Sequence, residues 1–265
     1  LGILDGVPIA VKDEIDHLPY KTMAGTRFYT KTTPLQDSTA VSRLRRAGAL
    51  MVGKSSMHEL GMGVTGLNVN SGTARNPHHP DHYPGGSSSG SAVAVASGIC
   101  PLALGMDGGG SIRIPASLSG VVGLKTTWGR ISRSGTAPLS WSVSTMGPLG
   151  ATVEDVAAGY VKIAGTDESD EWTKQQPEIH LQGFYESRLE GIRLGWFPEW
   201  FHHSKPEVVN AVKNMFPVLR EAGATLHEIS IPKLDAINLS LIITIITAVS
   251  YTHLRAHETE ADLVC

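Results

Sequence analysis

Residues 3–11 form a pair of short apolar runs that are separated by Asp5 and Gly6, a dipeptide typical of turns. The second run ends at Lys12. This pattern predicts strand-like segments joined by a tight turn, with a lysine at the end of the second segment.

The next segments predict a helix followed by a strand. Residues 37–47 are predicted to be helical, with Asp37 or Ser38 as N-cap and Gly48 as the C-terminal stop. Residues 49–52 are apolar and predict a short buried strand.

A change in composition then separates loop from regular structure. Residues 61–90 are dense in Gly, Asn, Pro and Ser, which predicts loop. Residues 91–97 are small and apolar, and this favours a tightly packed helix over a strand. Residues 101–106 predict a strand that leads into Asp-Gly-Gly-Gly-Ser at 107–111.

Residues 119–150 are again punctuated by glycine and precede a clear helix signal. The helix is predicted at residues 152–164, with Thr152 as its cap. Glu154 and Asp155 lie in its first turn, where negative side chains are favourable.

The remaining sequence predicts a polar surface excursion at 165–190, a strand at 192–197, an amphipathic helix at 206–222 and a strand at 225–231. Strands that alternate with helices indicate an α/β architecture with a substantially parallel sheet. The longest apolar run, 241–249, is far shorter than the ~20 residues of a membrane-spanning helix. It is therefore predicted to be buried core.

Composition narrows the functional classes. The 265 residues are 41% hydrophobic, enough to bury one large core, and the net charge is −3 without a polybasic run. We therefore expect no direct nucleic-acid partner and no membrane surface. Two cysteines, Cys100 and Cys265, cannot form a disulfide framework, so nothing suggests an oxidising compartment. A cytoplasmic location is expected by default, since the true N-terminus is taken to be absent. The start of the chain, without Met, is interpreted as a truncation, and the oligomeric state is left open.

Lys12, residues 85–90 and residues 107–111 are the three features that stand out chemically, and amide hydrolysis is the reaction against which we compare them. That reaction needs a nucleophile, a base, a proton donor for the leaving amine and donors for the oxyanion. A run of three glycines before Ser111 can turn its backbone N–H groups toward a substrate oxygen at little steric cost. Taken alone, however, a glycine run before a serine is more often a plain loop.

The combination of these segments resembles the amidase-signature family. Three stretches show the resemblance: GVPIAVKD at 6–13, PGGSSSGSAVAVASG at 84–98 and GMDGGGSIRIPASLSGVVGLKTTWGR at 105–130. The separations of 75 residues from Lys12 to Ser87 and 24 from Ser87 to Ser111 match the Lys, cis-Ser and Ser of that family. Further similar pieces extend the resemblance over about residues 1–248: these are 53–63, 75–86 and 146–157.

The resemblance implies a role for each matching residue. Ser111 would attack the amide carbonyl, and Ser87 would relay a proton between Ser111 and Lys12 and then donate it to the departing amine. The peptide bond between Gly86 and Ser87 would be cis. Four N–H groups would form the oxyanion hole: those of Gly108, Gly109, Gly110 and Ser111.

A lysine can act as a base near neutrality only when it is uncharged. Burial of Lys12 next to the apolar run that ends in Val11 would favour the neutral amine by desolvation. A carboxylate aimed at Lys12 would oppose this. Because neighbouring strand residues face opposite sides, we expect Asp13 and Glu14 to point away.

Other residues near the serines have predicted supporting roles. Asp107 and Arg113 are expected to fix the glycine loop through charge-assisted hydrogen bonds, the alternative being two unrelated surface charges. Ser88 and Ser89 are expected to form hydrogen bonds within their loop. At Gly108, family members commonly have Thr or a similar side chain, so glycine is expected to loosen the loop.

Two further motif matches point to other functions. Residues 48–55 match the phosphate-binding pattern GxxxxGK[ST], but the four middle residues are apolar and predict the strand itself. Residues 86–90 match the GxSxG nucleophile elbow, which needs a strand directly before it. The residues before 86–90 are predicted to be loop, so this motif lacks the strand that it requires.

His78, His79 and His82 could suggest a metal site. They lie in a loop broken by proline, with no cysteine pair nearby, so they are predicted to be solvated. No metal and no organic cofactor is expected.

The sequence thus predicts an α/β amidase-signature fold, with a mixed, largely parallel central sheet covered by helices and truncated at both ends. Residues 1–248 would form an incomplete catalytic core. Residues 249–265 do not resemble the family and are interpreted as a non-native tail. The predicted activity is hydrolysis of a small-molecule carboxamide through an acyl-enzyme on Ser111.

Two alternatives stay open. The A subunit of glutamyl-tRNA(Gln) amidotransferase shares the same triad and passes ammonia from glutamine to a partner subunit; Trp141 favours a general amidase instead. A truncated chain could also be catalytically inert, because lost core burial is serious for proteins that are stable by only about 5–15 kcal/mol.

Overall fold

A computed structural model describes residues 2–31, 33–186 and 188–247 of the chain. The chain divides into two compact units, one formed by Leu1–His180 with Leu241–Cys265 and the other by Leu181–Ser240. The segment 249–265, interpreted above as a tail, lies outside the described residues. Among the described residues, every helix is too short or too polar to cross a bilayer.

The first unit is built on a five-stranded sheet with the order β2-β1-β3-β5-β4. β1 pairs in parallel with both β2 and β3, whereas β5 pairs antiparallel with β3 and β4. The predicted mixed sheet is therefore confirmed. The strands are β1 (Pro8–Lys12), β2 (Leu50–Ser55), β3 (Leu102–Asp107), β4 (Val122–Gly123) and β5 (Thr145–Gly150).

Within the described residues, four α-helices lie entirely in this unit: α1 (Thr39–Arg46), α2 (Ser89–Ala96), α3 (Arg113–Ser119) and α4 (Val153–Ile163). The predicted end signals of α1 and α4 are confirmed. The Ser38 hydroxyl accepts a hydrogen bond at the start of α1, and Thr152 forms a reciprocal capping box with Asp155 at the start of α4.

Sequence patterns missed α3, β4 and β5. The β5 sequence, Thr-Met-Gly-Pro-Leu-Gly, contains residues that strands usually avoid, yet all six are buried. Pairing with β3 along its whole length decides this strand, and such pairing is not visible in local sequence. The strand predicted at 49–52 extends instead to Ser55, and at the edge of the sheet it is only partly buried.

Alternation along β1 places its side chains in two different layers. Ile9 and Val11 belong to the core cluster that includes residues of α1 and α4. Ala10 belongs to a cluster with residues of α2. Because successive strand residues face opposite sides, Lys12 lies on the same face as Ala10. The strand thereby directs the lysine toward the α2 side of the sheet.

The second unit contains a parallel pair of strands, β6 (Arg193–Trp196) and β7 (Thr225–Glu228), with helix α5 (Pro206–Glu221) between them in sequence. All three elements match the predicted ones in type. The excursion predicted at 165–190 is only partly at the surface, because Asp170 and Thr173 are buried.

The last described helix, α6 (Leu234–Ile246), contains most of the run predicted to be buried core. That prediction is wrong for the described part, because Ile242, Ile243 and Ile246 are each about half exposed. A helix that is apolar all round leaves open surface wherever only one side is covered. Residues 248 and 249 of the run lie outside the described residues.

The approach of α2 to the end of β2 depends on Gly90. A methyl group there would lie 2.5 Å from the Ser56 nitrogen and 2.7 Å from its oxygen. We expect Gly90→Ala to lower the free energy of unfolding by about 1–3 kcal/mol, the usual cost of overpacking, when measured by urea denaturation. Gly108→Ala is the matched control, since its nearest contact would be an ordinary 3.5 Å. Equal stability of the two variants would contradict the close approach.

Candidate active site

Lys12 is the most deeply buried cationic side chain among the described residues of the first unit, with only 1% of its surface exposed. Its Nζ donates a hydrogen bond to Ser87 Oγ at 2.7 Å and a longer one to the Met106 carbonyl at 3.4 Å. The expected burial of Lys12 and its contact with Ser87 are thus both present. A terminal amine held at the sheet in this way is close enough to exchange a proton with the hydroxyl.

Backbone hydrogen bonds join the segments that hold the two serines. The Ser88 N–H donates to the Ser111 carbonyl at 3.1 Å, and the His58 N–H donates to the Ser87 carbonyl at 3.1 Å. The peptide bond between Gly86 and Ser87 is cis, as the family resemblance implied. Lys12, Ser87 and Ser111 all line one cavity. Three positions that are remote in sequence therefore face the same cavity.

Glu14 departs from the expectation that both acidic neighbours point away from Lys12. After Lys12 the chain turns back on itself, and the Ile15 N–H donates to the Lys12 carbonyl at 3.0 Å. The turn places Glu14 Oε1 2.6 Å from Lys12 Nζ. Sequence patterns missed this contact because they predict extended strand over residues 12–14, whereas residues 13 and 14 form a turn.

Asp13, by contrast, faces away from Lys12 as expected. Its carboxylate accepts hydrogen bonds from the backbone N–H groups of Met23 and Gly25 and lies 3.7 Å from Lys54 Nζ. Burial raises the pKa of Asp13, while these donors and the Lys54 charge oppose that rise. The role of this carboxylate is to hold the loop that follows β1.

Asp107 organises the glycine loop between β3 and α3. Its carboxylate is fully buried and accepts hydrogen bonds from the N–H groups of Gly110 at 2.7 Å and Ile112 at 3.1 Å. It also receives two hydrogen bonds from the Arg113 guanidinium, both at 3.0 Å. The ion pair and the loop support predicted for Asp107 and Arg113 are therefore present.

The bond from Gly110 changes the predicted oxyanion hole. A backbone N–H is a single donor, and that of Gly110 is already used by Asp107. Gly110 is buried, and Gly108, Gly109 and Ser111 are its neighbours that line the cavity. We therefore correct the predicted set: Gly110 shapes the loop, and the other three N–H groups remain as candidates for the oxyanion.

The residues around Asp107 keep its carboxylate ionised. Burial alone would raise the pKa of Asp107, but the hydrogen bonds and charge of Arg113, together with backbone donors, hold that pKa below its ordinary value. The loop is thus tied to a stable anion at neutral pH.

The cavity at this site has a volume of about 270 Å³. The polar side of the cavity is formed by Lys12, Glu14, Ser87, Ser111 and the glycine loop. The rest of the lining is mostly apolar and includes Leu60, Met62, Val64, Leu139, Ile242, Ile245 and Ile246. Sequence patterns did not identify these apolar residues as part of a site, because they lie in irregular loops and in a distant helix.

The remaining predicted residues near the loop can also be placed. Ser88 Oγ bonds with the backbone of Met106, and Ser89 Oγ with the Ser56 carbonyl, so both are loop hydrogen-bonders as expected. Gly108 has room for a side chain. Trp141 stacks on the Arg133 guanidinium, 3.9 Å from the centre of the ring, and does not line the cavity.

The two competing motifs have no structural support. Residues 50–55 of the phosphate-binding match form strand β2 itself. The residues before the GxSxG match are irregular, and α2 begins only at Ser89. Among the histidines considered as metal ligands, His78 Nε2 contacts the Ser119 carbonyl, and His79 stacks on His82.

Comparison with known proteins places this geometry in a family. A model of the family described as Amidase matches residues 1–263. The chain is 41% identical over 264 residues to a fatty acid amide hydrolase from Oryza sativa subsp. indica, an alignment that covers 97% of this chain and 43% of the relative. It is 44% identical over 236 residues to the A subunit of a glutamyl-tRNA(Gln) amidotransferase from Symbiobacterium thermophilum, covering 89% and 48% of the two chains.

Solved structures point to the same family. The native peptide amidase from Stenotrophomonas maltophilia superposes with a TM-score of 0.81 at 36% identity, covering 91% of this chain and 51% of that one. The chain thus spans about half the length of the relatives that it matches.

The buried carboxylate of Asp107 makes a specific prediction about pH. We expect Asp107→Asn to lower the free energy of unfolding at pH 7 by about 3 kcal/mol, because several bonds to an anion are lost. The folded-state pKa is depressed, so the wild-type advantage exists above the unfolded pKa of about 4 and disappears as the pH falls through the folded value. Urea denaturation from pH 7 to pH 2 measures this difference.

Asp81→Asn, on an exposed loop, is the control and should change stability little at any pH. A pH-independent difference between wild type and Asp107→Asn would contradict an ionised Asp107 in the folded state.

Proposed function

The chain belongs to the amidase family, and from this premise we propose that it hydrolyses a carboxamide to acid and amine through an acyl-enzyme on Ser111. The observation that supports this most directly is the 2.7 Å hydrogen bond between the buried Lys12 amine and Ser87 Oγ. An activated serine requires a base that can reach it directly or through a relay.

In the proposed first step, Lys12 in its neutral form accepts a proton from Ser87, which takes one from Ser111. Ser111 Oγ then attacks the carbonyl carbon of the amide. The negative charge that develops on the carbonyl oxygen would be met by the N–H groups of Gly108, Gly109 and Ser111. Preorganised donors of this kind are worth about 10²–10³ in rate each.

In the second step Lys12 and Ser87 pass on the protons that they received in the first step. The Lys12 ammonium donates to Ser87, and Ser87 donates to the nitrogen of the departing amine, so the C–N bond breaks and the acyl group stays on Ser111. Water then gives a proton to Ser87, which passes one to Lys12, and attacks the carbonyl carbon of the acyl ester. The bond to Ser111 Oγ breaks, Ser111 receives the proton back through Ser87, and the acid is released. The residues that receive a proton in the first step therefore supply it in the second.

The lining of the cavity supports an amide that has an apolar group. Residues from two loops and from α6 present mostly hydrocarbon next to the serines: among them are Met62, Val64, Leu139 and Ile245. Burial of apolar substrate surface against them is favourable by about 25 cal/mol per Å². Two of the similar proteins are called a fatty acid amide hydrolase and a peptide amidase, and both names fit a carboxamide substrate.

A second candidate function is that of the A subunit of a glutamyl-tRNA(Gln) amidotransferase. The similarity to relatives of that name favours it, since their identity to this chain is as high as that of the hydrolases. The apolar cavity favours the simple amidase instead, because glutamine has a polar end at both sides of its short chain. The cytoplasmic location expected from the cysteine content suits either function and stays a prediction.

Labelling by a fluorophosphonate, which reacts with activated serines, tests the proposed nucleophile. We expect one covalent adduct on Ser111, located by mass spectrometry of tryptic peptides. Ser111→Ala should abolish it. Lys12→Ala and Ser87→Ala should slow labelling by about 10²–10⁴-fold, the usual contribution of acid–base catalysis.

Ser71→Ala, in an exposed loop, is the matched serine control and should label at the wild-type rate. Cooperative thermal unfolding of each variant separates loss of chemistry from loss of folding, and a broad, featureless melt of the unmutated chain would support an inert fragment. An adduct on Ser88 would support the nucleophile elbow and contradict the proposal.

Substrate choice separates the two candidate functions. We expect the protein alone to release ammonia from an aliphatic primary amide faster than from glutamine, because only the aliphatic amide buries apolar surface in the cavity. Ammonia release measured with both substrates gives this comparison. Glutaminase activity that appears only when tRNA is present together with a partner protein would favour the amidotransferase.

A further inference from the structure

Glu14 is a buried acidic residue in direct contact with the proposed base. Its Oε1 lies 2.6 Å from Lys12 Nζ, and the two side chains are 3% and 1% exposed. The turn after β1 fixes the pair, since the Ile15 N–H is bonded to the Lys12 carbonyl and the Ala137 N–H to the Glu14 carbonyl. Glu14 is therefore held beside the amine by backbone on both sides.

The carboxylate has little other than Lys12 to compensate its charge. Within the described residues, Glu14 Oε1 has no partner with hydrogen-bond geometry, so its contact with Lys12 is electrostatic. A buried carboxylate without a nearby cation is strongly unfavourable. Two opposite charges at this distance stabilise each other, whereas either charge alone would be buried without a partner.

Other titratable groups near the pair come from β2 and the loop after it. Lys54 interacts with Glu14 over a longer distance, but its Nζ lies against the Ile15 carbonyl and Asp13. His58 lies near Lys12, and burial lowers the pKa of His58, so its ring is neutral at pH 7. Neither group replaces Lys12 as the direct counter-ion of Glu14.

We propose that Glu14 is a positioning residue that sets the charge of Lys12, holding it as ammonium in the resting protein so that the pair must lose one proton before Ser111 can attack. This inference rests on the proposed function of Lys12 as the base. An opposite charge within about 4–6 Å shifts a titration by about 1–3 pH units toward the charged form. The rise of activity with pH should therefore occur at more alkaline pH than it would without Glu14.

Glu14→Gln tests the proposal because it keeps the shape of the side chain and removes its charge. We expect the ascending limb of the acylation rate of Ser111, measured with a fluorophosphonate as a function of pH, to move down by at least one unit. At a pH below both limbs, the variant should then react about tenfold faster than wild type. Glu14→Asp retains the charge and should stay close to the wild-type limb. A role limited to packing would alter the rate equally at every pH and leave the limb in place.

A second measurement reads the charge of Lys12 without relying on activity. In protein labelled with ¹³C at lysine Cε, the Lys12 resonance, assigned with Lys12→Met, should be that of an ammonium at pH 7 in wild type. It should titrate at lower pH in Glu14→Gln. A neutral Lys12 amine at pH 7 in wild type, or an unchanged titration in the variant, overturns the proposal; the wild-type spectrum decides this even if the variant does not fold.

The two measurements separate the possible failures. If Ser111 is not acylated at any pH while the Lys12 resonance shifts as expected, the proposed function fails and the charge coupling stands. If acylation proceeds but its ascending limb does not move in Glu14→Gln, the coupling fails and the proposed function stands. The same holds if the limb moves to higher pH, which is the shift expected if Glu14 were the group that accepts the proton of Lys12.

Discussion

The buried amine of Lys12 is the constraint on which the site depends. Removing a cation from water costs several kcal/mol, and only nearby hydrogen bonds or charges can compensate this cost. The structure provides Ser87 Oγ at 2.7 Å, the Met106 carbonyl at 3.4 Å and Glu14 at 2.6 Å. These contacts come from different parts of the chain, so the position of Lys12 depends on the end of β1, on the segment that holds Ser87 and on the turn that brings Glu14 back.

A second buried charge fixes the glycine loop. Asp107 satisfies its carboxylate with backbone N–H groups of the loop and with the Arg113 guanidinium, so the loop cannot move without exposing or unpairing an anion. Because Gly110 is used for this purpose, the loop has a side that is bound to Asp107 and a side that faces the cavity. Gly110 and its neighbours differ in role because each backbone N–H donates one hydrogen bond, and that of Gly110 is used by Asp107.

The two charged centres have opposite consequences for chemistry. Asp107 with Arg113 is a stable ion pair at neutral pH and gives rigidity. In the arrangement that we propose, Lys12 and Glu14 form an ion pair that must lose a proton before the reaction starts, because a protonated amine cannot accept the proton of Ser87. The Glu14 carboxylate would lower the reactivity of the protein at low pH, and it would also hold the Lys12 base in an ordered position. The apolar lining of the cavity strengthens the interaction of Lys12 with Glu14, since it lowers the local dielectric constant.

Local sequence determined the elements whose signals are complete within a short stretch: the caps of α1 and α4 and the strand that ends at Lys12. The motif spacings predicted Lys12, Ser87, Ser111, Asp107 and Arg113 as site residues, and their roles stay a prediction. Local sequence could not determine β5, whose glycines and proline become a strand only through pairing with β3. Nor could it determine which donors remain free around Ser111, that Glu14 turns toward Lys12, or that α6 contributes to the cavity. Some of these contacts join distant segments and others depend on a local turn or loop conformation, but all of them depend on distances that only the folded chain sets.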